Sequence, residues 1–247
     1  MSGLKVAALY GIKPHQLGFC GPQEKEATKI LLDYLTGKNI SEEKVKEILE
    51  GFEGAYPYYK LIAENNQIKD LFDERVVSAY WIGNDLLDSV STEALKNMII
   101  TDFSRPGLLS KEIAEKKANE IPGGSIPHHS FHVLVLGSIT GRVVLRGALL
   151  DLCRIGFGRI TKLEPQRKRV KVFYRPLVAD GNYRLGDPEK KYIDWDKNLI
   201  PQLNIGQQVS FHWNQLVQIL TERDEKNLRK YTQQTLDTIN RSLTKSR

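Results

Sequence analysis

Cys153-Arg154-Ile155-Gly156-Phe157-Gly158-Arg159-Ile160 separates two kinds of sequence. Before it, apolar residues recur mostly at helical spacing; after it they alternate in short runs, and one last helical pattern closes the chain. The fold class read from this contrast is α+β. Residues 1–122 form an N-terminal all-α helical domain, 123–152 a histidine-containing junction, and 153–247 a small OB-like β-barrel with a C-terminal helix.

Working outward towards the C-terminus, residues 154–163 read as a strand and Glu164-Pro165-Gln166-Arg167 as its turn. Arg169-Val170-Lys171-Val172-Phe173-Tyr174-Arg175 sets charged and apolar residues on opposite faces of a second strand. Pro176 stops it, and Asp180-Gly181-Asn182 and Gly186-Asp187-Pro188 are turns. Residues 192–196 read as a short edge and 208–213 as a further strand. Thr221-Glu222-Arg223-Asp224 resembles a capping box, opening a helix to about residue 243 with Leu228, Tyr231, Leu236, Ile239 and Leu243 on its inner side.

Working outward the other way, residues 143–152 fit a strand or a helix equally. Residues 131–136 are β-branched and aromatic and read as a strand. Ile121-Pro122-Gly123-Gly124-Ser125-Ile126-Pro127 is the strongest boundary signal in the chain. Upstream, helices are expected over 4–10, ending at Gly11, then from Pro22 to Gly37, and from Ser41 as N-cap through the stripe Val45, Ile48, Leu49 and Phe52, closed by Gly51 or Gly54. Further helices are expected over 55–66, 70–87, 91–99 and 109–120; in the third-last of these Asn84 shares a face with Tyr80 and Trp81. The segment 13–22, with two prolines and two glycines, reads as a loop.

The bulk numbers set limits. The 247 residues, 40% hydrophobic and 27% charged, describe a soluble globular chain. The net charge of +6 permits an acidic partner without requiring one. Basic residues concentrate at Arg167, Lys168, Arg169 and Lys171 and along the last helix to Arg247. Two cysteines are no disulfide framework, which points to reduced thiols and a cytoplasmic location. No apolar run reaches the roughly 18 residues of a membrane span, so no membrane insertion is expected. There is no glycine-rich phosphate loop, no nucleophile–base arrangement and no paired-carboxylate motif, so no catalytic residue is assigned.

Two local motifs carry chemistry. Gly18-Phe19-Cys20-Gly21-Pro22 presents Cys20 on a tight loop, either as a small core plug or as a ligand. His128-His129-Ser130-Phe131-His132 holds three of the five histidines. On a helix His128 and His132 share a face, and on a strand His128, Ser130 and His132 do; either suits a transition metal, and either also suits plain hydrogen bonding. The glutamate of the zinc-protease pattern is missing.

A resemblance adds to this. Cys153, Ile155, Gly158, Arg159 and Ile160, then Ile205-Gly206-Gln207-Gln208-Val209-Ser210-Phe211-His212, the apolar run 216–220 and the acidic helix start at Glu222, Asp224 and Glu225 resemble the small hydrogenase-formation chaperones. The likeness spans residue 153 to about 236. In that family the cysteine lies at the extreme N-terminus, whereas Cys153 is internal, and Phe157 stands where a proline is usual. The whole chain, with its GFCGP loop and Pro127-His128-His129, is also similar to a prokaryotic family without an assigned function. The resemblance implies an accessory, non-catalytic protein of metalloenzyme maturation, for nickel–iron hydrogenase, that binds a protein partner and an iron fragment. Its candidate ligands are Cys153 and His212, with His128, His129, His132 and Cys20 in reserve, and Arg154 and Arg159 placed to favour a Cys153 thiolate. Two other readings stay open. One is nucleic-acid binding by a basic barrel through Arg167, Lys168, Arg169, Lys171 and Tyr174, with Arg175, Tyr183 and Trp195 for stacking. The other is a metal-dependent enzyme built on His128, His129 and His132.

Overall fold

A computed structural model describes residues 1–245; Ser246 and Arg247, at the end of the basic run expected in the last helix, lie outside the described residues. Seven helices open the chain: α1 (Gly3–Gln16), α2 (Lys25–Leu35), α3 (Glu42–Glu50), α4 (Tyr56–Asn65), α5 (Glu74–Trp81), α6 (Thr92–Asp102) and α7 (Lys111–Glu120). Short polar side chains start most of them. Ser2, Ser41, Asp73, Ser91 and Ser110 each accept a backbone N–H from the first turn that has no partner within the helix.

Two helical expectations are corrected. The first helix does not stop at Gly11 but runs to Gln16, through Gly11 and Pro14. Gly11 is there for packing, since a Cβ would sit 2.7 Å from the Phe52 ring. Pro14 has no N–H, so the carbonyl four residues back, on Tyr10, is released from the helix ladder. The expected helix over 70–87 is α5 alone, followed by a 3₁₀ turn at Asp85–Ser89. Gly83, at φ +95°, breaks it where a Cβ would strike Tyr231 at 2.1 Å. Asn84 then caps the 3₁₀ turn through the Leu86 N–H instead of sitting on a buried face with Tyr80.

The junction is helical, not a strand. His128 caps α8 (His129–Phe131), which continues as a π turn over His132–Leu136 and ends at Gly137, φ +74°. Residues 129–134 are buried throughout. A run buried on every side has no exposed face to mark its period, so its β-branched composition misleads. After α9 (Ala148–Cys153) come β1 (Gly156–Glu164), β2 (Arg169–Tyr174), β3 (Leu177–Ala179), β4 (Tyr183–Leu185), β5 (Glu189–Asp194), β6 (Gln208–His212), β7 (Gln215–Ile219) and α10 (Glu222–Lys245). Cys153 is therefore the last residue of a helix and not the first of a strand.

The chain is a mixed α+β structure. Five strands pair in the order β1-β2-β5-β7-β6, and β6 returns to β1, so the sheet closes on itself; β3 and β4 form a separate hairpin. The edge expected at 192–196 is the inner strand β5, hydrogen-bonded to β2 along its length and parallel to β7 at one position. Ile160, Val170, Val172, Ile193, Val209 and Phe211 fill the closed sheet. A larger core runs from Leu4 on α1 to Tyr231 on α10 and takes in Ile155, Phe157 and Val217, so both halves of the chain share it. Thr221 and Asp224 cap α10 reciprocally: each backbone N–H donates to the other's side chain, at 3.0 and 3.1 Å. Among the described residues, no helix is long and apolar enough to cross a membrane.

Candidate metal centre

His212 is the last residue of β6. Trp213 and Asn214, both at positive φ, make the two-residue turn into β7. The Trp213 N–H donates to the Leu152 carbonyl at 2.8 Å, which pins this turn to the C-terminal end of α9 and brings His212 beside Cys153. From the other side, α8 delivers His129. Among the described residues, His129, Cys153 and His212 are the group of potential metal ligands that converge, with one ligand atom from each within 4.8 Å of the others, all buried. Donors about a tetrahedral ion with bonds of about 2.0–2.3 Å stand roughly 3.3–3.8 Å apart, so a modest contraction would close the set.

The hydrogen bonds fix which nitrogens are free. The Tyr10 carbonyl released by Pro14 accepts from His212 Nδ1 at 2.8 Å. The proton is thus on Nδ1, and Nε2 is a buried lone pair with no hydrogen-bond partner. This is the arrangement found behind metal-bound imidazoles. At His129, Tyr80 donates its hydroxyl proton to the Gly54 carbonyl at 2.6 Å, Nδ1 lies 3.0 Å from that hydroxyl oxygen, and Nε2 lies 2.9 Å from the Cys153 carbonyl. A neutral imidazole and one phenol bring two protons to three contacts. The Cys153 carbonyl can only accept, so the His129 proton is on Nε2 and donates to it, and the ring's lone pair is on Nδ1, facing the Tyr80 hydroxyl.

Electrostatics agree with neutral ligands. Burial drives the His129 imidazole well below its ordinary range, helped by the neighbouring His212 and His132 rings. Burial also pushes His212 down to about 4, partly offset by the backbone of Tyr10 and Cys153. The Cys153 thiol is raised well above its usual value by burial and by Cys20, against a lowering contact from Trp213. The expectation that Arg154 favours its thiolate is corrected: the Arg154 guanidinium, 1% exposed, is committed to Asp151 and to the Arg175 carbonyl. In the absence of an ion Cys153 is a thiol, and metal would displace its proton.

A cavity of about 40 Å³ adjoins the three ligands, lined also by Cys20, His132, Phe19, Trp81 and Trp213. None of its described lining residues is charged. His132 reaches this pocket with Nδ1 3.1 Å from the Tyr58 hydroxyl, and burial lowers it to about 4. His128 does not; its Nδ1 accepts the Ser130 N–H as the cap of α8, so the pair that faces the pocket is His129 and His132, not His128 and His132. Sequence reading passed over Tyr10, Pro14 and Tyr80, which orient the imidazoles; a proline set in an apolar helical pattern was the one available signal.

The basic residues lie elsewhere, and Arg167, Arg169 and Lys171 are engaged. Glu164 accepts from Lys162, Arg169 and Tyr192 and lies 3.9 Å from Arg167. Arg169 and Lys171 cover the Tyr192 ring. Tyr174 and Trp195, expected to be open to stacking, are 5% and 4% exposed. Tyr174 donates towards Asp151 and Glu189, and Trp195 donates to the Ile200 carbonyl.

Fold and site together define a mixed α+β protein with a buried pocket that brings together two imidazoles and a thiol. The chain belongs to the family of unknown function DUF6390, which it matches over residues 1–246. Comparison with curated proteins and with solved structures finds no match.

Proposed function

We propose that this chain is an accessory protein of metalloenzyme maturation, serving nickel–iron hydrogenase, which holds an iron fragment on His129, Cys153 and His212 and passes it to a protein partner. The observation that carries the reading is the convergence of Cys153 and His212, singled out by the chaperone resemblance and distant in sequence, on one buried pocket with His129. A thiolate with imidazoles suits iron and other transition metals of borderline softness. We read the closed sheet as an OB-like barrel, because its order and the single parallel contact of β5 with β7 fit that Greek-key arrangement.

The test is metal analysis of the full chain purified without oxygen from native cells, together with identification of co-purifying proteins. Iron and a hydrogenase precursor or maturation factor are expected with the wild-type chain, and both are expected to fall in Cys153→Ala and His212→Ala. Wild-type and Cys153→Ala protein that carry the same metal and the same partners would refute the reading.

A further inference from the structure

We infer that Cys20 supplies a second thiolate to the ion held by His129, Cys153 and His212, making a two-imidazole, two-thiolate site; this rests on the metal-holding reading above. Cys20 lies outside the group of three but lines the same pocket. The cavity that all four residues line is about 40 Å³, more than the roughly 15 Å³ that a water-sized body occupies. The buried His212 Nε2, 2% exposed and without a partner, opens on the same pocket and independently marks it as a place for a ligand.

Charge decides the number of thiolates. A divalent ion on two neutral imidazoles and one thiolate keeps one positive charge. The described lining holds no carboxylate to offset it, and an unpaired charge in an apolar interior is costly. A second thiolate brings the site to neutrality, and of the chain's two cysteines Cys20 is the other one. In forming that bond the Cys20 thiol releases its proton to solvent as sulfur joins the metal, and no electron moves.

The loop carrying Cys20 is held on both sides for this task. His15 Nδ1 donates to the Cys20 carbonyl at 3.1 Å. The Gly21 N–H donates to Glu53 at 3.1 Å, while Arg142 donates to the Gly21 carbonyl at 3.0 Å and to Glu53 at 2.8 Å. The Phe19 ring packs 4.7 Å from that of Trp213, the residue that follows His212. Gly18 and Gly21, at φ +73° and +81°, let the chain turn twice within these few residues.

Cobalt(II), titrated without oxygen into the full chain, reports thiolates through near-ultraviolet sulfur-to-metal absorption, which scales with their number. Wild-type protein is expected to show two-thiolate intensity, and Cys20→Ser and Cys153→Ser about half of it each. Unchanged intensity in Cys20→Ser overturns the inference while leaving the three-ligand site standing. Failure of the wild-type chain to bind cobalt overturns both readings. Should Cys20→Ser not fold, iodoacetamide labelling of the wild-type chain decides: saturating zinc is expected to protect Cys20 by at least about tenfold, and an undiminished labelling rate overturns the inference.

Discussion

Acid is expected to unfold this protein through its buried histidines. Burial lowers His128 to about 3 and His132 and His212 to about 4, from an ordinary value of 6.5. The unfolded chain therefore binds these protons first, and stability falls as pH drops from about 6.5 towards the folded values. At 1.36 kcal/mol per unit of separation, each of the three loses about 2 kcal/mol between pH 7 and pH 5. Together that is about 6 kcal/mol, a large share of the roughly 5–15 kcal/mol that holds a typical domain folded; His129 acts in the same direction. Urea unfolding at the two pH values measures it. His128→Asn isolates one contribution, because asparagine can still accept the Ser130 N–H at the start of α8, and position 128 lies outside the pocket. The variant should lose about 2 kcal/mol less than wild type on going from pH 7 to pH 5. Equal losses in the two proteins, or a wild-type chain as stable at pH 5 as at pH 7, would refute the reasoning.

Pro14→Ala should split two properties: the new N–H competes for the Tyr10 carbonyl, so α1 holds or gains thermal stability while cobalt affinity falls about tenfold, the low end for loss of a supporting hydrogen bond. Gly83→Ala combines a φ of +95° with a Cβ 2.1 Å from the Tyr231 ring and should cost roughly 2–5 kcal/mol in thermal or urea unfolding. Thr221→Ala removes one half of the reciprocal cap of α10 and should cost about 1 kcal/mol in the same assay, with no change in metal content.

What could be read without the structure follows from where each signal resides. Helices α2, α3, α6 and α7 announce themselves because each has one buried stripe and polar residues around it, and three of them carry a serine cap. Residues 131–136 hid their helical form because burial on all sides erased the period. Gly11 and Pro14 looked like terminators because their roles depend on partners far away in the chain, the Phe52 ring for one and His212 for the other. For the pocket, residue types were legible but their company was not. Nothing local distinguishes His129 from His128, since the choice is made by which of them caps α8. Arg154 adjoins Cys153 in sequence but bonds to Asp151 and to backbone in space, so it does not favour the thiolate.

The carbonyl that Pro14 frees on Tyr10 has a consequence for timing. It sits in the first helix, and the imidazole it orients is placed near the end of the chain. During synthesis the first helix emerges long before β6, so for most of that time the receptor for the His212 proton exists without its donor. The ligand set comes into being only when the two ends have met across the shared core. Any metal loading at this pocket would require a chain made at least as far as β6, since a product that stops short of it has thiols but no His212 beside them.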